Sequence, residues 1–124
     1  MEYEGITSEI IKCAYKVYNT LGSGFLEKVY EKAMAIEFDK VGFDVQSQFP
    51  VSVFYDGQLI GDFYADLVVD NLIIIELKAV ETILPVHEVQ LVNYLTATNN
   101  DIGLLINFGK SVQVKRKYKK NGQD

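Results

Sequence analysis

The stretch Leu72-Ile73-Ile74-Ile75-Glu76-Leu77-Lys78 constrains this chain more than any other. Ile73, Ile75 and Leu77 are apolar on one face, and Leu72 and Ile74 are apolar on the other. A strand that is apolar on both faces is a central one, covered above and below. Yet the face of Leu72 and Ile74 runs on into Glu76 and Lys78. Ionised groups beside a buried strand are costly unless they are paired, hydrogen-bonded or bound to a metal. Two readings stand. One is a structural Glu–Lys pair at the strand end, which seldom improves on apolar residues of similar size. The other is a functional site, where perturbed charges gather.

The flanking pattern supplies the rest of the fold. Ile6, Ile10, Ala14, Val17 and Leu21 recur at helical spacing, predicting a helix over 7–21 with Thr7 or Ser8 as its N-cap. Gly22-Ser23-Gly24 ends it. A second helix is expected at about 25–41, with Leu26, Val29, Tyr30, Ala33, Met34 and Phe38 on its apolar side and Gly42 as its stop. Strands follow at 45–55 and 58–69, joined at Asp56-Gly57, a strong hairpin signal. Pro50 places the first of these at a sheet edge. After the 72–78 strand, Pro85 opens a third helix at about 86–98. Ile102–Phe108 and Val112–Lys117 complete the set as strands. The expected class is α/β: helices flank a mixed sheet that has a three-strand antiparallel meander and a right-handed β-α-β crossover.

Asp66 interrupts an apolar run on the strand that pairs with the one carrying Glu76. A two-residue turn at 70–71 would set Asp66 opposite Ile75, leaving Glu76 on the other face. A three-residue loop at 70–72 pairs residue 69 with 73 and sets Asp66 across from Glu76. A shared site therefore requires an odd loop, with Asn71 or its neighbour left-handed, or a nearby bulge. Two facing carboxylates repel unless a cation or a proton lies between them. Together with a backbone carbonyl they are hard oxygen donors, suited to Mg²⁺ or Mn²⁺. If Asp66 merely caps a turn or faces solvent, no such site forms.

Composition narrows the function classes. The 124 residues suit a single domain, 1–124. No apolar run reaches the ~18 residues that a membrane span needs. Met1 to Glu9 carries three glutamates and no basic residue, unlike a secretory signal. Cys13 is the single cysteine and His87 the single histidine, which excludes an internal disulfide and a zinc cluster. A reducing, cytoplasmic setting is expected. The net charge of -5 divides into -10 over residues 1–109 and +5 over 110–124. An acidic body disfavours nonspecific nucleic-acid binding, and a basic C-terminal tail at about 115–124 partly restores it.

Asp66 followed ten residues later by Glu76-Leu77-Lys78 resembles the D…(D/E)xK core of the PD-(D/E)xK nuclease superfamily, whose core is restriction-endonuclease-like. Upstream, Gly24-Phe25-Leu26-Glu27-Lys28-Val29-Tyr30 fits the signature of the GxxExxY proteins, a branch of that superfamily. Downstream, Gln90-Leu91-Val92-Asn93-Tyr94 is similar to the Q-x-x-x-Y element of RecB-type exonucleases. The naming proline is absent, since Ala65 precedes Asp66. The resemblance spans Ile6 to Lys117 and implies a metal-dependent nuclease acting on nucleic acid, with DNA the expected substrate.

Asp66 and Glu76 would then hold Mg²⁺ or Mn²⁺, with the Leu77 carbonyl completing the set and Glu27 adding a carboxylate to the metal or its waters. Lys78 would orient the attacking water and offset charge on the phosphate. Gln90 and Tyr94, on one helix face, would steady Lys78 and the substrate backbone. The alternative is a nuclease-like fold kept as a non-catalytic binding module. A domain this small leaves a homodimer open as the means of enclosing a duplex.

The remaining candidates have plainer roles. His87 could contact phosphate or serve as a polar residue at a helix start. Tyr30 is expected in the core, its hydroxyl reaching a site carboxylate or water. Glu31 and Glu37 are expected on the solvated face, Asp70 in turn chemistry, and Cys13 as a small core residue. Lys115, Arg116 and Lys117 are expected to contact the substrate backbone beside the site.

Overall fold

The computed structural model describes residues 2–120. Three helices and five strands follow in the order α1 (Glu2–Leu21), α2 (Glu27–Lys40), β1 (Val45–Tyr55), β2 (Gln58–Val69), β3 (Ile73–Lys78), α3 (Pro85–Thr98), β4 (Ile102–Phe108) and β5 (Val112–Tyr118). The strands form one sheet in sequence order. β3 and β4 are parallel and joined by α3, while the other neighbours are antiparallel. The mixed α/β architecture expected from the sequence is the one observed.

α1 and α2 cover one face of the sheet and α3 the other. Ile10, Cys13, Ala14 and Val17 pack with Tyr30, Met34 and Phe38 against Leu67, Ile73, Ile75, Leu104 and Ile106. On the second face Leu91, Tyr94 and Leu95 meet Val51, Val68, Ile74 and Leu105. Every residue of β4 is buried, as is all of β3 up to Leu77. These two strands are therefore the doubly covered centre that the apolar run demanded.

Two helix expectations are corrected. α1 begins at Glu2, one and a half turns before the expected cap. Thr7 lies inside it, 1% exposed, with its hydroxyl donating to the Glu4 carbonyl. Glu4 suits the first turn of a helix, where an acidic side chain meets the positive end of the dipole. In α2 the buried stripe is Tyr30, Glu31, Met34 and Phe38, leaving Leu26 and Val29 exposed. The Tyr30 ring stacks on Phe108, 4.4 Å between centroids. Its hydroxyl donates to the Gly22 carbonyl at 2.6 Å and accepts the Phe25 N–H at 3.3 Å. It thus secures the α1–α2 loop instead of reaching a carboxylate.

The β2–β3 loop has the odd length that a shared site requires. Leu72 N–H donates to the Val69 carbonyl at 2.9 Å, with Asp70 and Asn71 both left-handed (φ 54 and 56). Leu72 is the additional residue, so Val69 pairs with Ile73 and Leu67 with Ile75. The next position of that register sets Asp66 opposite Glu76.

Candidate active site

The β2–β3 ladder ends at Leu67–Ile75, and one step further the two carboxylates take over its hydrogen bonds. Asp66 N–H donates to Glu76 Oε2 at 2.7 Å, and Leu77 N–H donates to Asp66 Oδ2 at 2.8 Å. Each carboxylate thus holds the backbone of the opposite strand through one oxygen. Among the described residues no hydrogen bond engages the other two oxygens, Asp66 Oδ1 and Glu76 Oε1, and no buried side-chain oxygen lacks a partner. Both free oxygens therefore keep access to solvent.

A second irregularity brings Asp66 to this position. The β1–β2 ladder runs Ser47–Leu67 and then Phe49–Ala65, and Gln48 between them is left-handed (φ 54). On either side of this point the hairpin exchanges faces. Val45, Leu67 and Val69 pack under α1 and α2, whereas Phe49, Val51 and Ala65 pack toward α3. Asp66 lies at the crossing, within electrostatic reach of both helical layers.

Charges from α2 converge on it. Burial pushes the Asp66 carboxyl above its usual range against the Leu77 N–H, which favours the ionised form. The charges of Glu31 and Glu27 push it further up, and Lys78 opposes them. Glu76, 6% exposed, is pushed up to about 8, first by burial and then by the Asp66 charge. The Asp66 N–H and Lys78 restrain that rise, and Glu27 adds to it. Without a cation, this carboxyl holds a proton near neutral pH.

Glu27 is exposed, at the first position of α2. The loop that places it is fixed at both ends, by left-handed Gly24 (φ 103) and by the Tyr30 hydroxyl bonds. Gly24, Glu27 and Tyr30 thus act as one positioning unit. Glu31 was expected on the solvated face but is 7% exposed. It accepts from Gln48 Nε2 at 3.0 Å and pairs with Lys28 at 3.5 Å. Its spacing of four from Glu27 puts both residues on one side of α2.

Lys78 ends β3, half-buried, on the face of Glu76 and outside any ion pair among the described residues. Asn107, fully buried, fixes the chain just beyond it. Its Oδ1 accepts the Val80 N–H at 2.9 Å and its Nδ2 donates to the Val80 carbonyl at 2.8 Å. On α3, Gln90 Nε2 donates to the Tyr94 hydroxyl at 3.1 Å. The Tyr94 hydroxyl is pushed up by burial and then by the Glu76 charge, with the Gln90 bond opposing and the Asp66 charge adding to the rise.

His87 Nδ1 accepts the Leu84 N–H at 3.0 Å, closing the first turn of α3. This bond is the polar helix-start role. The basic residues divide between two faces. Arg116 donates to Thr7 Oγ1 at 3.2 Å on the α1 side. Lys117 pairs with Glu88 of α3 at 3.1 Å. Lys115 shares the α3 face, and the register Glu76–Leu105–Lys115 puts it two strands from the site, roughly 10 Å across. Residues 121–124 of the expected tail lie outside the described residues.

Asp66 and Glu76 fit a hard divalent cation. Two carboxylates face each other across paired strands, each anchored through one oxygen with the other free. Among the described residues no three histidine, cysteine or acidic side chains are gathered into a ligand cluster.

The sequence profile of the PD-(D/E)XK nuclease superfamily matches residues 4–120. The chain belongs to this superfamily. Asp66 and Glu76 lie on adjacent antiparallel strands inside the matched span. Membership points to a nuclease-type domain, to divalent-metal dependence in general and to nucleic acid as partner. The crystal structure of SSO0001 superposes with a TM-score of 0.62 at 18% identity, covering 98% of this chain and 63% of that one. That likeness shows the fold, and the chain spans less than two thirds of that protein. No curated protein matches the sequence. Among the described residues no helix is long and apolar enough to cross a membrane.

Proposed function

We propose that the protein is a Mg²⁺- or Mn²⁺-dependent nuclease of the GxxExxY branch that hydrolyses phosphodiester bonds, with DNA as its substrate. The observation that carries this reading is the reciprocal bonding of Asp66 and Glu76, which fixes a half-buried and a buried carboxylate face to face with one free oxygen each. Apolar residues would stabilise a strand end better than this pair does.

Asp66 Oδ1, Glu76 Oε1 and the Leu77 carbonyl would hold the cation. Bound there, it supplies an acidified water and takes up charge on the phosphate oxygens. Glu27, exposed at the start of α2, accepts a proton from water on the solvent side. Lys78, outside any ion pair among the described residues, has its ammonium available for the phosphate, two residues along the same face from Glu76. Asn107 holds Val80 and thereby the strand end that carries Lys78. Gln90 donates to the Tyr94 hydroxyl, and the two would steady Lys78 and the substrate backbone. Lys115 and Lys117 lie on the site's side of the sheet and contact the substrate backbone, whereas Arg116 faces α1.

The test is cleavage of labelled single- and double-stranded DNA in Mg²⁺ and in Mn²⁺. Glu76→Ala and Lys78→Ala should each lose at least 100-fold in rate, the scale of removing one group that stabilises developing charge. Variants that cleave as fast as the wild type would overturn the assignment. Binding without cleavage in either ion would instead leave a nuclease-like fold that acts as a binding module.

A further inference from the structure

Beside the carboxylates, α3 and the β1–β2 hairpin enclose an open groove of about 820 Å³. Phe54 and Phe63 line it from the hairpin, and His87, Gln90, Asn93 and Tyr94 line it from α3. Its wall is mainly apolar, and no lysine, arginine, aspartate or glutamate contributes to it. Gln90 and Tyr94 line the groove, and Tyr94 packs in one cluster with Ala65 and Ile74 of the strands that carry Asp66 and Glu76, so the groove adjoins the site. The Phe63 and Tyr94 rings lie 6.0 Å apart, tilted by 35°, at the junction.

We infer that this groove receives unpaired bases, which makes single-stranded nucleic acid the substrate class; the inference rests on the nuclease reading of the adjacent carboxylates. Aromatic faces with side-chain amides between them suit a nucleobase, which has two flat apolar faces and a polar edge. A duplex keeps its base faces stacked inside, out of reach of Phe54, Phe63 and Tyr94, unless a base is flipped at a cost of a few kcal/mol. A wall without lysine or arginine gives phosphates no ion pair. The basic segment lies outside the groove, where the Lys120 N–H meets the hydroxyl of Thr96, itself a lining residue. Bases would thus enter the groove while the backbone passes along its rim, between Lys78 and the C-terminal lysines.

The experiment is fluorescence anisotropy with wild-type protein in chelator, so that binding is read without cleavage. Three probes of equal length are compared: a thymidine single strand, the same strand with abasic sites, and a duplex. The single strand should bind at least tenfold tighter than either other probe. Phe63→Ala should weaken single-strand binding roughly 5- to 150-fold, the range for loss of one stacked base. Val89→Glu, on the exposed groove wall, should do the same without disturbing the core.

Equal binding of all three probes, or unchanged binding by both variants, would overturn the groove assignment. So would a stable dimer in sedimentation that Val89→Glu dissociates, since a second copy would then cover the groove. Cleavage in Mn²⁺ separates the two readings. Duplex cleavage that ignores Phe63 and Val89 removes the groove and leaves the nuclease, whereas base-dependent binding without cleavage keeps the groove and removes the nuclease.

Discussion

Asp66 donates its backbone N–H to the Glu76 carboxylate at 2.7 Å, so the chain places a buried acid where a ladder bond would otherwise run. The arrangement makes metal-free stability depend on pH. The Glu76 carboxyl rises in the folded protein from 4.5 to about 8. Between those values the folded state binds more protons than the unfolded state, so stability falls as pH rises. The contribution is fully present below the unfolded value and lost on passing the folded one. Thermal melts in chelator should show a falling midpoint from pH 5 to pH 8.5, with a slope of at most about 1.4 kcal/mol per pH unit from this group. Glu76→Gln, which keeps an acceptor for the Asp66 N–H, should flatten that profile and melt higher than the wild type at pH 8.5. Parallel profiles would contradict the buried acid.

The three-residue loop at 70–72 sets the parity of β3. Asn71 is left-handed (φ 56), a conformation that costs a β-branched residue about 1–2 kcal/mol. Urea titration should show Asn71→Val destabilised by that amount and Asn71→Gly close to the wild type. Deleting Leu72 should do far more, because an even loop would turn Glu76 and Lys78 to the α1–α2 face and bury Ile75 against the wrong layer. A folded deletion variant with intact metal binding would refute the register argument.

Asn107 is buried, and both of its strong bonds go to Val80. Truncation to Ala leaves two backbone groups without partners, at about 1–3 kcal/mol each if they stay dry. Asn107→Asp keeps the Val80 N–H bond but turns a carboxylate oxygen toward the Val80 carbonyl, and should be worse. Chemical denaturation of both variants checks the order, and cleavage rates should fall with it because Lys78 loses its support.

The basic residues near the C-terminus should separate by face. Lys115 and Lys117 lie on the site's side of the sheet, and Arg116 is held by Thr7 on the other. Replacing Lys115 and Lys117 should reduce the salt slope of DNA binding by ~0.7–0.9 per lost phosphate contact. Replacing Arg116 should leave the slope unchanged and lower stability slightly. Equal effects from all three would mean the cations act as a diffuse cloud.

The parts of this fold legible in the sequence were those set by period and parity. The Leu72–Lys78 run could belong only to a central strand, and its charges at Glu76 and Lys78 marked the site. The odd loop followed from requiring Asp66 and Glu76 to meet. What stayed hidden depended on packing that no local pattern encodes. Gln48 adopts a left-handed conformation without the glycine or asparagine that announces one, so the exchange of faces at Asp66 had no signature. Glu31 reads as a solvated helix residue until Gln48 folds over it. The Tyr30 hydroxyl turned to Gly22 because the loop before α2 needed an acceptor satisfied, a demand visible only once the helices are packed. Asn107 interrupts an apolar strand, and a lone amide there is itself a clue to a buried role.

The most direct test of the central claim is an anomalous difference map from a crystal soaked in Mn²⁺ near pH 8, where Glu76 gives up its proton readily. A peak bridging Asp66 Oδ1 and Glu76 Oε1, lost in Asp66→Asn, is the predicted result. Manganese bound elsewhere, with these two oxygens free of it, would contradict the account.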